Sequence, residues 1–279
     1  MEARQYIVES WKSTDKNRFP GPQPVSIERR HFPLLKRQAY VVCEKTDGVR
    51  YMLACPPGSK ESYLVNRNFE SKLVNLAGFP KDTILDGELV TTKDKRELFM
   101  VHDAVRVKGY DLMNEPLATR LGFAINAVKS IIKSKKDPFE VRVKHMIPLG
   151  SIRELPALDS FEYETDGIVM TPINEPIRTG THETMFKWKP HNRITVDFLI
   201  KKGNELWVQD KGMPFLEAEL HLGNQRPDIR DGSIVECGYG DLGWFVEKVR
   251  TDKNYPNNRR TYYNTCANLR ENIQFNEFF

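Results

Sequence analysis

Glu44-Lys45-Thr46-Asp47-Gly48-Val49-Arg50-Tyr51 is the stretch on which the reading of this chain turns. A lysine closes one β-type run, residues 39–45. Asp-Gly supplies a turn, and an arginine lies at the start of the next run, residues 49–55. A lysine amine beside a tight turn can be a nucleophile once it is uncharged. A free lysine has only roughly 0.04% of its amine neutral at pH 7, from a pKa of about 10.4. Desolvation and nearby cations raise that fraction. Taken alone, the octapeptide reads equally as a β-hairpin with a surface lysine.

Working outward, β-type runs separated by turns are expected at 62–65, 83–90, 98–105, 139–147 and 167–171. Leu117, Leu121, Ala124, Ile125, Val128 and Ile132 recur on one helical face, with Pro116 suited to the first turn. The first 37 residues mix turn formers with basic residues. After residues 190–193 the texture changes to short strands at 195–201, 205–209, 233–237 and 244–250, as in a small barrel, with a closing helix at 261–272. The expected boundary divides 1–192 from 193–279.

Further motifs follow the lysine in a fixed order. They are Leu85-Asp86-Gly87-Glu88-Leu89, Phe99-Met100-Val101-His102-Asp103-Ala104, Thr165-Asp166-Gly167-Ile168-Val169-Met170, Met185-Phe186-Lys187-Trp188-Lys189-Pro190 and the run from Val249 to Asn257. Any one is a weak signal; the ordered set of six is a strong one. It resembles the covalent nucleotidyltransferases, the mRNA capping enzymes and the ATP-dependent DNA and RNA ligases, over about residues 20–257. The segments FPGPQPVS, DGIVMTP and KWKP resemble the capping branch, of viral or other compact single-activity type.

The resemblance implies an α+β fold: a nucleotidyltransferase domain of antiparallel sheets with helices, then a C-terminal OB-fold barrel, with nucleotide held between them. It implies an mRNA guanylyltransferase. Lys45 would attack the α-phosphate of GTP, and the resulting lysyl-GMP would pass to the 5′-diphosphate end of RNA. Glu88 and Asp166 would sit near the ribose and a Mg2+ or Mn2+ ion, since carboxylates hold hard cations. Arg50 and Arg67 would contact sugar and phosphate. Lys187 and Lys189 would hold the α-phosphate and help depress the pKa of Lys45. His102 falls where the family places an aromatic that stacks on the base. Lys248, Arg250, Asp252 and Lys253 would act on the outer phosphates. Two residues depart from the family pattern: the imidazole at 102, and Lys248 where an arginine is usual. Lysine supplies charge without the guanidinium fork.

Ordinary readings exist for each residue. Asp-Gly is a common turn, Lys187 and Lys189 alternate with aromatics as on a half-exposed strand, and the 250–253 charges suit an edge strand. The wider alternatives are an ATP-dependent ligase, or a non-catalytic OB-type module binding nucleic acid through Trp207, Tyr239, Trp244 and Phe245. Gly238–Gly243 matches G-x-G-x-x-G, but β-type sequence follows it, so it reads as a turn between strands and not as a dinucleotide site.

Composition narrows the field. The 279 residues are 39% hydrophobic and 29% charged with a net charge of +4, which excludes collagen, disordered and disulfide-stapled classes. No apolar run approaches the roughly 20 residues of a membrane span, and the first residues lack a secretory apolar core. Four scattered cysteines read as reduced thiols of an intracellular protein; the resemblance implies a nuclear or viral cytoplasmic site. The histidines lack zinc spacing. Positive charge is concentrated: residues 178–202 carry six Lys/Arg against two Asp/Glu, and residues 248–260 five against one. The length leaves no room for a triphosphatase or cap methyltransferase, which would be separate chains or domains.

Overall fold

The computed structural model describes residues 2–221 and 229–279. The chain divides into two compact units. One contains residues up to Val25, Pro33–Trp188 and Phe279; the other contains Ser26–Phe32 and Lys189–Phe278.

In the larger unit the lysine octapeptide is not a hairpin. The Lys45 strand, Tyr40–Thr46, pairs with Thr165–Pro172 and Ile147–Pro148. The next strand, Val49–Cys55, pairs with Tyr63–Asn66 and Thr83–Thr91. The Asp47-Gly48 turn therefore carries the chain from a five-stranded sheet to a seven-stranded one. Gly48 is required by this crossing: a Cβ there would lie 2.5 Å from the Leu89 carbonyl oxygen. Gly48→Ala is expected to cost about 1–3 kcal/mol through overpacking against backbone, read as a lowered midpoint in urea.

The seven-stranded sheet is buried on both faces, and period-two alternation assigns each side chain to one of them. Leu53 and Cys55 point into a core with Leu85, Phe99, Ala124 and Ala127. Met52 and Ala54 point into another with Tyr6, Ile7 and Trp11. The helices on these faces are Leu117–Lys129 and Ala3–Ser10. The second lies outside the expected elements. Its eight residues are too few for a periodic signal, and burial of Tyr6 and Ile7 holds it in place. The Leu117 helix is also turned relative to expectation. It buries Leu117, Arg120, Ala124 and Ala127, while Ile125 is exposed and Ile132 lies beyond its end. The cause is Arg120, drawn inward by a two-pronged bond to Asp103 at 2.7 and 3.0 Å. The sheet is not wholly antiparallel: Glu140–Val143 runs parallel to Glu97–Val107. Two strands outside the expected set complete the five-stranded sheet, Gln23–Ser26 and Thr181–Trp188.

The smaller unit is a five-stranded antiparallel sheet in the spatial order Met213–Glu219, Glu205–Asp210, Thr195–Lys201, Ile234–Gly240, Gly243–Val249. It closes on itself where Leu220 bridges Trp244 and the His221 N–H donates to the Trp244 carbonyl at 3.1 Å. A five-stranded antiparallel sheet whose edges meet through one parallel bridge is consistent with the OB-fold expectation. Met213–Glu219 escaped the sequence reading because Pro214 argues against a strand. The glycine-rich segment is the turn between the last two strands, with Gly243 at φ +106°. The closing helix, Arg259–Glu271, is capped by the Asn258 side chain, which accepts from the Arg260 N–H at 2.9 Å. Trp244 lies in the barrel core against Phe198 and Tyr262, and the Trp207 indole N–H donates to Glu205. That removes Trp244 from any exposed stacking surface. The four cysteines are free thiols. Among the described residues, no helix is long and apolar enough to cross a membrane.

Candidate active site

A cavity of about 240 Å³ in the larger unit is walled by strands of both its sheets. Alternation brings Cys43 and Lys45 from one strand to it, Val169 and Thr171 from the next, and Met185 and Lys187 from the third. Phe186 and Trp188 are buried on the other side of that third strand. The opposite wall carries Arg50, Arg67, Glu88 and His102. The structure therefore gathers six of the expected site residues around one space. Asp166 joins them through Lys45.

Asp166 is placed by a β-bulge. Thr165 pairs with Thr46 and Gly167 with Lys45, so Asp166 is the extra residue between them. A bulge re-aims a side chain, and here the carboxylate meets the Lys45 ammonium at 2.8 Å. The Lys45 ammonium is one of its partners.

Arg50 is likewise committed. Its side chain is 6% exposed and grips Asp86 at 2.9 and 2.6 Å, while also donating to the Pro22 carbonyl. Arg50 faces Glu88 across the strand pair, and Asp86 is the diagonal neighbour on the same sheet. Burial would push the Asp86 carboxyl up. The charges of Arg50, His102 and Arg67 outweigh it and hold the group below its usual range. His102 Nε2 lies 3.4 Å from Asp86 Oδ1. Enclosure pushes the imidazole below its ordinary 6.5 against the pull of Asp86. Arg67 has no hydrogen-bond or ion-pair partner among the described residues, which leaves its guanidinium available to a ligand.

Sequence reading missed a hydrogen-bonded relay in the cavity wall. Lys144 Nζ donates to the Glu44 carbonyl at 3.1 Å and to Thr46 Oγ1 at 2.9 Å, and the Thr46 hydroxyl in turn donates to Glu88. The only signal for Lys144 was its position in an alternating run, which any surface lysine shares. Among the described residues, no three His, Cys, Asp or Glu side chains are gathered into a protein-only metal cage.

Lys189 is the first residue of the smaller unit's main segment. There Lys248, Arg250, Asp252 and Lys253 form one network around Asp197 and Glu236, which no motif had marked. Arg250 reaches Asp252 at 2.7 Å, Asp197 at 3.1 Å and Glu236 at 3.3 Å. Lys248 meets Glu236 at 3.0 Å, and Lys253 pairs with Asp197. Much of the positive charge counted in this segment is thus already neutralised.

Residues 2–191 match the mRNA capping enzyme catalytic domain, and residues 172–279 match the mRNA capping enzyme C-terminal domain. The chain belongs to the mRNA capping enzyme family. A Yarrowia lipolytica protein named mRNA-capping enzyme subunit alpha is 34% identical, with 81% of this chain and 65% of that protein aligned. A Danio rerio protein named mRNA-capping enzyme is 26% identical, with 96% of this chain and 50% of that one aligned. The chain thus spans half to two thirds of the length of these relatives. Among solved structures, the ligase domain of M. tuberculosis LigD aligns with 85% of this chain and 96% of its own, at 13% identity and a TM-score of 0.42.

Proposed function

We propose that the chain is an mRNA guanylyltransferase with Lys45 as its nucleophile. The observation that carries this is the opening of Lys45 onto a cavity also lined by Arg50, Arg67, Lys144 and Lys187. A nucleophilic amine among cations suits attack on a phosphate, where catalysis is mostly positioning and charge neutralisation. In the first step Lys45 Nζ forms a bond to the α-phosphorus of GTP, the bond to the bridging oxygen breaks, and pyrophosphate leaves. Asp166, 2.8 Å from Nζ, is placed to accept the amine proton. In the second step an oxygen of the RNA 5′-diphosphate attacks the same phosphorus, the N–P bond breaks, and Lys45 recovers its proton. The product is a 5′–5′ triphosphate cap.

Glu88 and Asp166 would hold the divalent ion, since Mg2+ commonly uses one or two carboxylates and completes its shell with phosphate oxygens. Mg2+ or Mn2+ held there would supply neutralisation of the α-phosphate. Lys187 and Arg67 are assigned to the phosphates and sugar, and His102 to the base. Lys189 is assigned with Lys187 to the α-phosphate, and Lys248, Arg250, Asp252 and Lys253 to the outer phosphates. Triphosphatase and methyltransferase activities are assigned to other chains or domains.

Lys144 supports guanine over adenine. Its ammonium has three donors, of which Glu44 and Thr46 take two. A remaining N–H suits the O6 acceptor of guanine and not the N6 amine of adenine. Lys144→Met is expected to reduce the preference for GTP over ATP about tenfold or more, in line with the ~1–3 kcal/mol carried by such contacts. Adduct formation from α-labelled GTP and from α-labelled ATP measures it. For the wild type, a GTP-derived adduct that is acid-labile and alkali-stable supports the proposal. An adduct from ATP with indifference to GTP would establish the ligase reading instead.

A further inference from the structure

The wall of the Lys45 cavity holds a buried polar group outside every contact assigned above. Thr171 lines the cavity from the strand Thr165–Pro172 and is 7% exposed. Its hydroxyl has no hydrogen-bond partner among the described residues. A buried hydroxyl left unpaired costs free energy, so one that faces a cavity points to a ligand that completes it.

Strand register fixes where that hydroxyl stands. Thr171 pairs with Val41, three positions along the ladder from the Ile168–Glu44 pair and four from the Gly167–Lys45 pair. At the rise of an antiparallel strand it lies roughly 10 Å along the sheet from Glu44, on the side away from Lys45. Lys144 donates to the Glu44 carbonyl. Groups so spaced can bond the two ends of one purine edge, with Lys45 left to the phosphate. Other acceptors in the wall are engaged or poor. Both Asp103 oxygens take Arg120, and one also takes the Ala104 N–H at 2.8 Å. The Thr46 hydroxyl lies between Lys144 and Glu88. The Cys43 thiol, pushed up to about 12 by burial, stays protonated and accepts weakly. Gln23 lies on the far edge of the sheet, three strands from Glu44, and its amide nitrogen turns back onto the Gly21 carbonyl at 3.3 Å.

We propose that the Thr171 hydroxyl accepts a hydrogen bond from the exocyclic 2-amino group of guanine, as a second base-reading residue beside Lys144. The inference rests on the guanylyltransferase reading, which supplies the base. An ammonium only donates, so Lys144 suits O6 and cannot serve an amine at the other end of the same edge; a hydroxyl can. The two residues divide the discrimination. Lys144 separates guanine from adenine, which has no O6. Hypoxanthine presents the same O6 but lacks the 2-amino group, so Lys144 does not distinguish it from guanine. A site built to bond a polar group rejects the analogue that lacks it, and Thr171 supplies that bond.

The test is the full chain carrying Thr171→Val, which keeps the branched shape and removes the hydroxyl. KM for GTP in adduct formation should rise roughly tenfold, because the enclosed amine loses its acceptor. KM for inosine triphosphate, which lacks the amine, should move by less than about twofold. The preference for GTP over inosine triphosphate therefore falls by about the same tenfold, and Thr171→Ser should restore it. The denaturation midpoint of Thr171→Val should not drop, since no protein group loses a partner. An unchanged preference in Thr171→Val would overturn the proposal, whether the two KM values stay put or rise together. So would a serine variant that behaves like the valine one, or a wild type that forms the GMP adduct without preferring GTP to inosine triphosphate. Failure of the wild type to form any adduct with GTP would instead strike the parent reading.

Discussion

Lys45→Ala is expected to abolish the labelled GMP adduct, a loss on the order of 10⁴-fold or more, as for removal of a covalent nucleophile. The fold should survive. Lys45 sits at the end of a strand with its side chain partly exposed to the cavity, so truncation leaves no sealed void. The circular dichroism spectrum and denaturation midpoint should therefore match wild type. A label that persists in this variant would place the nucleophile elsewhere. Asp166→Asn should leave the strand pairing intact, since the bulge is a backbone feature, yet slow adduct formation by replacing the proton-accepting carboxylate beside Nζ with a neutral amide.

Asp86→Ala is expected to have the largest effect on stability. Asp86 is 1% exposed, and its removal strands the buried Arg50 guanidinium. Breaking a buried pair on one side costs about 3–5 kcal/mol, measured as a reduced unfolding free energy in urea. The pH dependence follows from the direction of the shift. The Asp86 carboxyl is held below its ordinary 3.8, so its contribution is complete above that value and is lost as pH falls through the lower native one. The double variant Arg50→Met, Asp86→Leu should recover most of the stability, because an apolar pair of similar volume removes both desolvation costs. Its GMP adduct should remain low, since Arg50 lines the cavity. Full recovery of both properties would reduce the pair to a structural element.

Most strands were legible because their signals are local. Val49–Cys55 and Thr195–Lys201 were expected at their observed bounds. Elements held by distant partners were not legible. The Ala3–Ser10 helix depends on a sheet face built from residues far along the chain. Met213–Glu219 depends on a barrel that overrides its proline. The Leu117 helix was found but misrotated, because a sequence pattern treats Arg120 as polar and cannot see Asp103 waiting inside.

The same division runs through the site. The order of short motifs, each with its own turn chemistry, was enough to name the family and to single out Lys45, Glu88, Asp166 and Lys187. Their gathering was decided by the tertiary structure. The Asp47-Gly48 turn switches sheets, a bulge points Asp166 at Lys45, and Lys144 reaches Thr46 from a distant stretch of the chain. Motif spacing reports what each residue is and what flanks it. Which side chains face one another is fixed by strand register, and register is a property of pairs of segments that no single stretch contains.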